Sequence, residues 1–474
     1  MSHRPQKLIH HLLWLILICA IAYFKYYHHE LWKDEWQAWF VAKDKSISDI
    51  FSFLYYEGHP ALWYLYLKVF TPLSGMISPA NLLNTAHLLT VAGGLYILIV
   101  KFRISTILKI AIALSYFVFF EYGIVNRGYF LVVLFLFWSV SLMKKEQYSK
   151  TFLGILLFLL CQTEVYGAMM ALTIGVYLYL SKDKKWVTKD GAHIIGLLLG
   201  MLVFIVSVFP RSAGHVSKTK GKELSLPDQV LTSFQGNLSN NFLIGSTPDT
   251  FTYGWTWVGI LLSLLCVIGL WYIFRSRPNV QKTMFVFLIG LLVFSAFIFL
   301  GGIRQWGMGM IFFVAMLELA DFDIKNEKWQ GGLVAIFCIF GMVHGIKAVR
   351  EEVRLPFTNA KAAGLFIKDK IPAKVPIIAI NKFEATPVIG YADRKFFELP
   401  DGKEFSYFRW VDKIYLPTEN EIKLFANFKS VGGVVILSPQ PLDGGRFPTA
   451  QLWQKFDQLN YKNENYYLYT LAVK

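Results

Sequence analysis

The stretch that decides the fold is Trp32-Lys33-Asp34-Glu35-Trp36-Gln37-Ala38-Trp39, followed after a short helical run by Tyr56-Glu57-Gly58-His59-Pro60. It comes just after an apolar run from Leu8 to Phe24, so two adjacent acids stand where a chain would leave a bilayer. Ionisable groups at that depth are costly and usually have a partner or a task. Trp32, Trp36 and Trp39 recur at helical spacing, which predicts an apolar face laid on the membrane with Asp34 and Glu35 elsewhere on the turn. Over 46–56, Ser46 or Ser48 supplies a cap and Ile47, Ile50, Phe51, Leu54 and Tyr55 form one stripe. That is the pattern of a helix lying in the interface plane. A lone Asp-Glu pair here reads first as a solvated loop between aromatic anchors; the rest of the chain changes the balance.

Of 474 residues, 55% are hydrophobic and only 17% are charged, and runs of about 18 apolar residues recur throughout. These features define a polytopic membrane protein. The formal charge of +15 comes from short Lys/Arg clusters between apolar runs, as orientation in a membrane requires, and not from a basic patch for nucleic acid. Cys19, Cys161, Cys266 and Cys338 all lie inside apolar runs with no paired spacing, which argues against a zinc site or a disulfide framework. Arg4 and Lys7 precede the first apolar run, and no small-residue cleavage site follows it. The expectation is a retained anchor with a cytoplasmic N-terminus.

Segment 60–75 is apolar but short, and Lys68 and Pro72 interrupt it. If it does not cross, spans fall near 8–24, 80–100, 105–123, 128–143, 151–165, 167–181, 191–209, 255–274, 283–301, 304–322 and 330–348. Lys101/Arg103, Lys144/Lys145, Lys182 to Lys189, Arg275/Arg277/Lys282 and Lys325/Lys328 then share the cytoplasmic side. This predicts about eleven spans over residues 1–348 and an extracytoplasmic domain over 349–474. Short helices flanking Glu164 predict a hollow at the outer side, lined by Asp34, Glu35, Glu57, His59, Glu121, Arg127, Glu164 and Arg304. The outer loop 210–254, with Arg211, His215, Lys218, Lys220 and Lys222, would roof it. Taken singly, the arginines read as interfacial anchors and the acids as their counter-charges; taken together, they converge at one depth on one side. Beyond Val349 the composition turns polar. Strands are expected at 375–380, 431–437 and 466–473, and helices near 358–370, 418–428 and 448–460, which makes a small α/β domain. It carries no phosphate-binding glycine motif.

These features resemble the GT-C superfamily of membrane glycosyltransferases, with the protein O-mannosyltransferases and lipid A aminoarabinose transferases (glycosyltransferase family 39-like) as nearest relatives. The likeness rests on Asp34-Glu35 in a long first outer loop and on His59-Pro60-Ala61-Leu62-Trp63-Tyr64, where Ala61 replaces the family's second proline. It also rests on Asn126-Arg127-Gly128-Tyr129, Thr163-Glu164-Val165-Tyr166-Gly167 and Gly301-Gly302-Ile303-Arg304-Gln305-Trp306. The resemblance implies an inverting transfer of sugar from a polyprenyl-phosphate-linked donor to an acceptor hydroxyl. Asp34 would be the acid/base residue with Glu35 beside it, and Arg127 and Arg304 would hold the donor phosphate. Glu57, His59, Glu121, Glu164 and Tyr166 would support them. A divalent cation is not required, although Asp34, Glu35 and Glu57 are the oxygen ligands that would suit Mg²⁺ or Mn²⁺. The resemblance also implies a bacterial inner membrane location and contact with membrane lipids. The acceptor is left open between protein, lipid and envelope glycan. Two other classes compete. A transporter or flippase of a lipid-linked or anionic solute would more often show internal repeats and midplane charges. An assembly subunit acting through its outer domain would not need the Asp34 cluster.

Overall fold

The computed structural model describes residues 3–181, 191–208, 224–244 and 254–472. It is mostly helical, with a small sheet near the C-terminus. Among the described residues four helices are long and apolar enough to cross a membrane: Lys7–Tyr27, Pro79–Lys101, Pro278–Phe297 and Lys328–Arg354. Tyr129–Met143, Lys150–Cys161, Val165–Leu180, Ala192–Val208 and Trp257–Ile273 are shorter apolar helices. The 12-residue helix Lys150–Cys161 rises about 18 Å, well short of a ~30 Å hydrocarbon core. It ends just before Glu164, which is also the N-cap of Val165–Leu180. Short helices therefore do flank Glu164. The basic loop residues Lys182 to Lys189 and Arg211, His215, Lys218, Lys220 and Lys222 lie outside the described residues.

The chain divides into two compact units. The first comprises Met1–Phe24, Phe51–Trp63 and Thr85–Arg350. Its interior is aromatic and apolar, with Phe287 and Phe312 stacked at 4.2 Å and Phe313 edge-on to Phe242. Ser115 accepts from the backbone N–H of Val118 and starts a π-helical turn, Tyr116–Glu121, that delivers Glu121 into this interior. Such turns are uncommon and concentrate at functional positions.

The second unit comprises Lys25–Ile50, Tyr64–Asn84 and Glu351–Lys474, so the polar C-terminal region folds together with two early segments. Its sheet has strands β1 (Ile377–Ala379), β2 (Phe396–Glu398), β3 (Lys403–Phe405), β4 (Gly433–Ser438), β5 (Gln451–Phe456) and β6 (Tyr466–Ala472). Their order is β3-β2-β1-β4-β6-β5, with β2, β1 and β4 parallel and the rest antiparallel. Parallel neighbours need crossover helices. Lys382–Ala392 supplies one between β1 and β2, and Glu419–Phe428, capped by Thr418 and Glu421, precedes β4. Ile378, Ile422, Phe425, Val434, Ile436 and Leu471 form the core.

Two expectations are corrected. Residues 448–460 are not helical: Gln451–Phe456 is edge strand β5, paired with β6. A register irregularity between Leu452 and Gln454 breaks the strand's alternation, and Trp453 and Phe456 both pack on Phe366, which imitates helical spacing. The tryptophan face is not laid on a membrane either. Trp36 and Trp39 are buried in helix Lys33–Asp44, and Trp36 packs edge-on against Tyr391 at 5.4 Å. Gly390 allows that approach, because a Cβ there would come within 2.2 Å of the indole. Gly390→Ala is expected to destabilise the second unit by about 1–3 kcal/mol through overpacking, read as a lower melting temperature in detergent.

Segment 60–75 forms the seven-residue helix Leu62–Lys68 and a 3₁₀ turn, Thr71–Gly75. A rise of about 10 Å cannot span a bilayer. Lys68 has a different use: its Nζ donates to the carbonyls of Ala42 and Lys45, closing the C-terminal end of helix Lys33–Asp44.

Candidate functional site

In the first unit, most of the expected residues gather around Tyr129. Gly58, at φ +71°, ends helix Ile47–Glu57 in the left-handed region and turns the chain into His59. The Nδ1 of His59 lies 2.7 Å from Glu164 Oε2. Burial opposes the imidazolium, but Glu164, with help from nearby Glu57 and against Arg127, raises His59 above its ordinary value. The Nε of Arg304 pairs with Glu121 Oε1 at 3.0 Å, and Tyr116 donates to the other Glu121 oxygen at 2.8 Å. The guanidinium of Arg127 sits 5.6 Å from the centroid of the Tyr129 ring. Gln305 donates to the Tyr129 hydroxyl, and Tyr122 stacks on the ring and donates to the Arg304 carbonyl. Glu164, Arg127 and Arg304 are all close enough to act electrostatically on the Tyr129 phenol, and Tyr166 is buried beside Tyr129 and Glu164. Thus Glu57, His59, Glu121, Arg127, Glu164, Tyr166 and Arg304 share one neighbourhood, in which the acids and Tyr166 are buried and His59, Arg127 and Arg304 are partly exposed.

Asp34 and Glu35 belong to the second unit. Asp34 is partly exposed in the first turn of helix Lys33–Asp44, where the helix dipole favours a carboxylate. Glu35 is fully buried. One of its oxygens accepts from the Trp32 backbone N–H at 2.7 Å, and both lie within 3.0–3.2 Å of His29 Nε2. The Nδ1 of the same imidazole lies 2.7 Å from Glu352 Oε1. Lys33 bridges Glu384 at 2.8 Å and Glu464 at 3.3 Å, and Trp32 donates its indole N–H to Glu464. Among the described residues, no group of three or more His, Cys, Asp or Glu side chains is arranged to hold a metal ion. The oxygens of Glu35 are engaged by His29 and the Trp32 amide, so this carboxylate does not fit the ligand role considered with Asp34 and Glu57.

His29 and Glu352 carried no signal in the sequence, because they lie 323 positions apart and only the fold joins them. Burial disfavours the His29 imidazolium, but Glu35 and Glu352 outweigh it and push His29 up to about 9. Its value in the unfolded chain is near 6.5, so the stability it contributes is complete below about pH 6.5. That contribution disappears as the pH rises through about 9. The melting temperature in detergent should therefore fall between about pH 6.5 and 9 in the native chain and change much less in His29→Gln. Equal slopes in the two proteins would remove His29 as the cause.

The arrangement of apolar helices, short early helices and terminal sheet is a fold shared with solved structures of ArnT. Among the solved structures it matches are two of ArnT from Cupriavidus metallidurans. The apo form aligns with TM-score 0.53 at 11% identity, covering 97% of each chain. The form bound to undecaprenyl phosphate aligns with TM-score 0.52 at 10% identity, again covering 97% of each. No known family profile and no curated protein matches the chain by sequence.

Proposed function

We propose that this protein transfers a sugar from a polyprenyl-phosphate-linked donor to an acceptor hydroxyl, with inversion, at the outer face of a bacterial inner membrane. The apolar helices would cross about eleven times, with the N-terminus cytoplasmic and region 349–474 outside. The observation that carries the reading is the likeness in fold to a structure that holds undecaprenyl phosphate. In support of it, Arg127 and Arg304 lie in the first unit with Glu57, Glu121 and Glu164 around Tyr129.

In the proposed reaction Asp34 takes the proton of the acceptor hydroxyl as its oxygen attacks the anomeric carbon. The bond from that carbon to the phosphate oxygen breaks, and polyprenyl phosphate leaves with the electron pair. An alcohol is a poor nucleophile, and a positioned carboxylate typically supplies about 10²–10⁴ in rate. The leaving phosphate gains charge, which Arg127 and Arg304 would stabilise. Glu121 pairs with Arg304 at Nε and so orients the planar fork that phosphate recognition would use. His59 would hold Glu164 beside Tyr129. Cells lacking the protein should accumulate a polyprenyl-linked sugar that falls again when the native chain, but not Asp34→Asn, is restored. Lipid extraction with mass spectrometry reads this out, and an unchanged lipid profile in the deletion would overturn the reading.

A further inference from the structure

We propose that His29 is a positioning residue for Asp34, acting through Glu35; this rests on the reading of Asp34 as the general base. The imidazole is fully buried between two fully buried carboxylates, Glu352 on helix Lys328–Arg354 and Glu35 on helix Lys33–Asp44. Removing one partner from a buried ion pair is strongly unfavourable, so the placement of Glu35 depends on the imidazole and on Glu352 behind it. Phe357 meets the ring edge-on at 4.9 Å and fixes its plane. The other charges nearby are Glu30, itself near Lys361, Lys25 toward Glu35, and Lys462 toward Glu352.

What the bridge holds is a helix start. Trp32 is the N-cap of Lys33–Asp44, and Glu35, three residues on, reaches back to its amide. Asp34 lies between them in the same turn. Capping normally uses a Ser, Thr, Asp or Asn side chain as well, and the Trp32 side chain takes no such part. His29 supplies the missing constraint by fixing the carboxylate that closes the turn. It thereby sets the direction of Asp34 without touching a substrate.

Misplacing a reacting group by about 1 Å costs on the order of a hundredfold in rate. His29→Gln in the full chain should therefore lower turnover by about ten- to a hundredfold. Turnover is followed on the polyprenyl-linked sugar extracted from deletion cells, and binding is followed with undecaprenyl phosphate as the probe. The probe's affinity and the KM for the donor should stay constant. The double variant His29→Gln, Asp34→Asn should be no slower than Asp34→Asn alone, because His29 acts through Asp34. Glu352→Gln should reproduce the turnover loss and stands in if His29→Gln does not fold. Effects that multiply in the double variant, or normal turnover in the folded single variants, would overturn the positioning role. Normal turnover in Asp34→Asn alone would instead sink the general-base reading on which it rests.

Discussion

Asp34→Asn is expected to lower turnover by about 10²–10⁴ while the affinity for undecaprenyl phosphate stays near the native value. Asparagine keeps the size of the side chain but cannot take the acceptor's proton. The substitution also spares the helix start, because the groups that close it are Glu35 and the Trp32 amide. Melting in detergent should therefore change little, which separates lost chemistry from lost fold. Glu35→Gln should behave differently: its side chain is buried against His29, so it should lose stability as well as rate. A near-normal rate in a folded Asp34→Asn protein would shift the balance to the transport reading.

The second large effect is expected at the arginines. Arg127→Lys and Arg304→Lys keep the charge but lose the planar fork, and each should weaken undecaprenyl phosphate binding by about ten- to a hundredfold. Arg304→Lys carries an additional cost, since Nε is the atom that meets Glu121. Glu121→Gln provides the contrast, because it loosens the guanidinium without removing it. Unchanged binding in both Arg→Lys variants would leave these side chains as interfacial anchors.

Much of this was readable from residue order. Lys68 and Pro72 marked 60–75 as something other than a span, and the seven-residue helix bears that out. The apolar patterns of Val431–Leu437 and Tyr466–Val473 gave β4 and β6, both central in the sheet and so strongly patterned. By contrast, β2 and β3 are three residues each, too short for any period to show. Helix Lys382–Ala392 contains Pro387, which reads locally as a breaker. The acids and arginines announced themselves by standing among apolar runs, but their pairings did not. His59 with Glu164 spans 105 positions and Arg304 with Glu121 spans 183, and no periodicity reaches that far. Trp36 misled because an indole suits a membrane interface and a glycine-faced protein contact equally well, and Gly390 lies far along the chain.

The makeup of the second unit bears on how the chain is made. Residues 25–50 leave the ribosome about 300 residues before 351–474, which complete their unit. At roughly 5–20 residues per second, that interval is on the order of 15–60 s. Throughout it the indole of Trp36 lacks Tyr391 and Gly390, and the His29–Glu35 pair lacks Glu352. The Asp34 segment is therefore made well before the residues that complete its unit, and the order of synthesis runs opposite to the order in which its buried contacts can close.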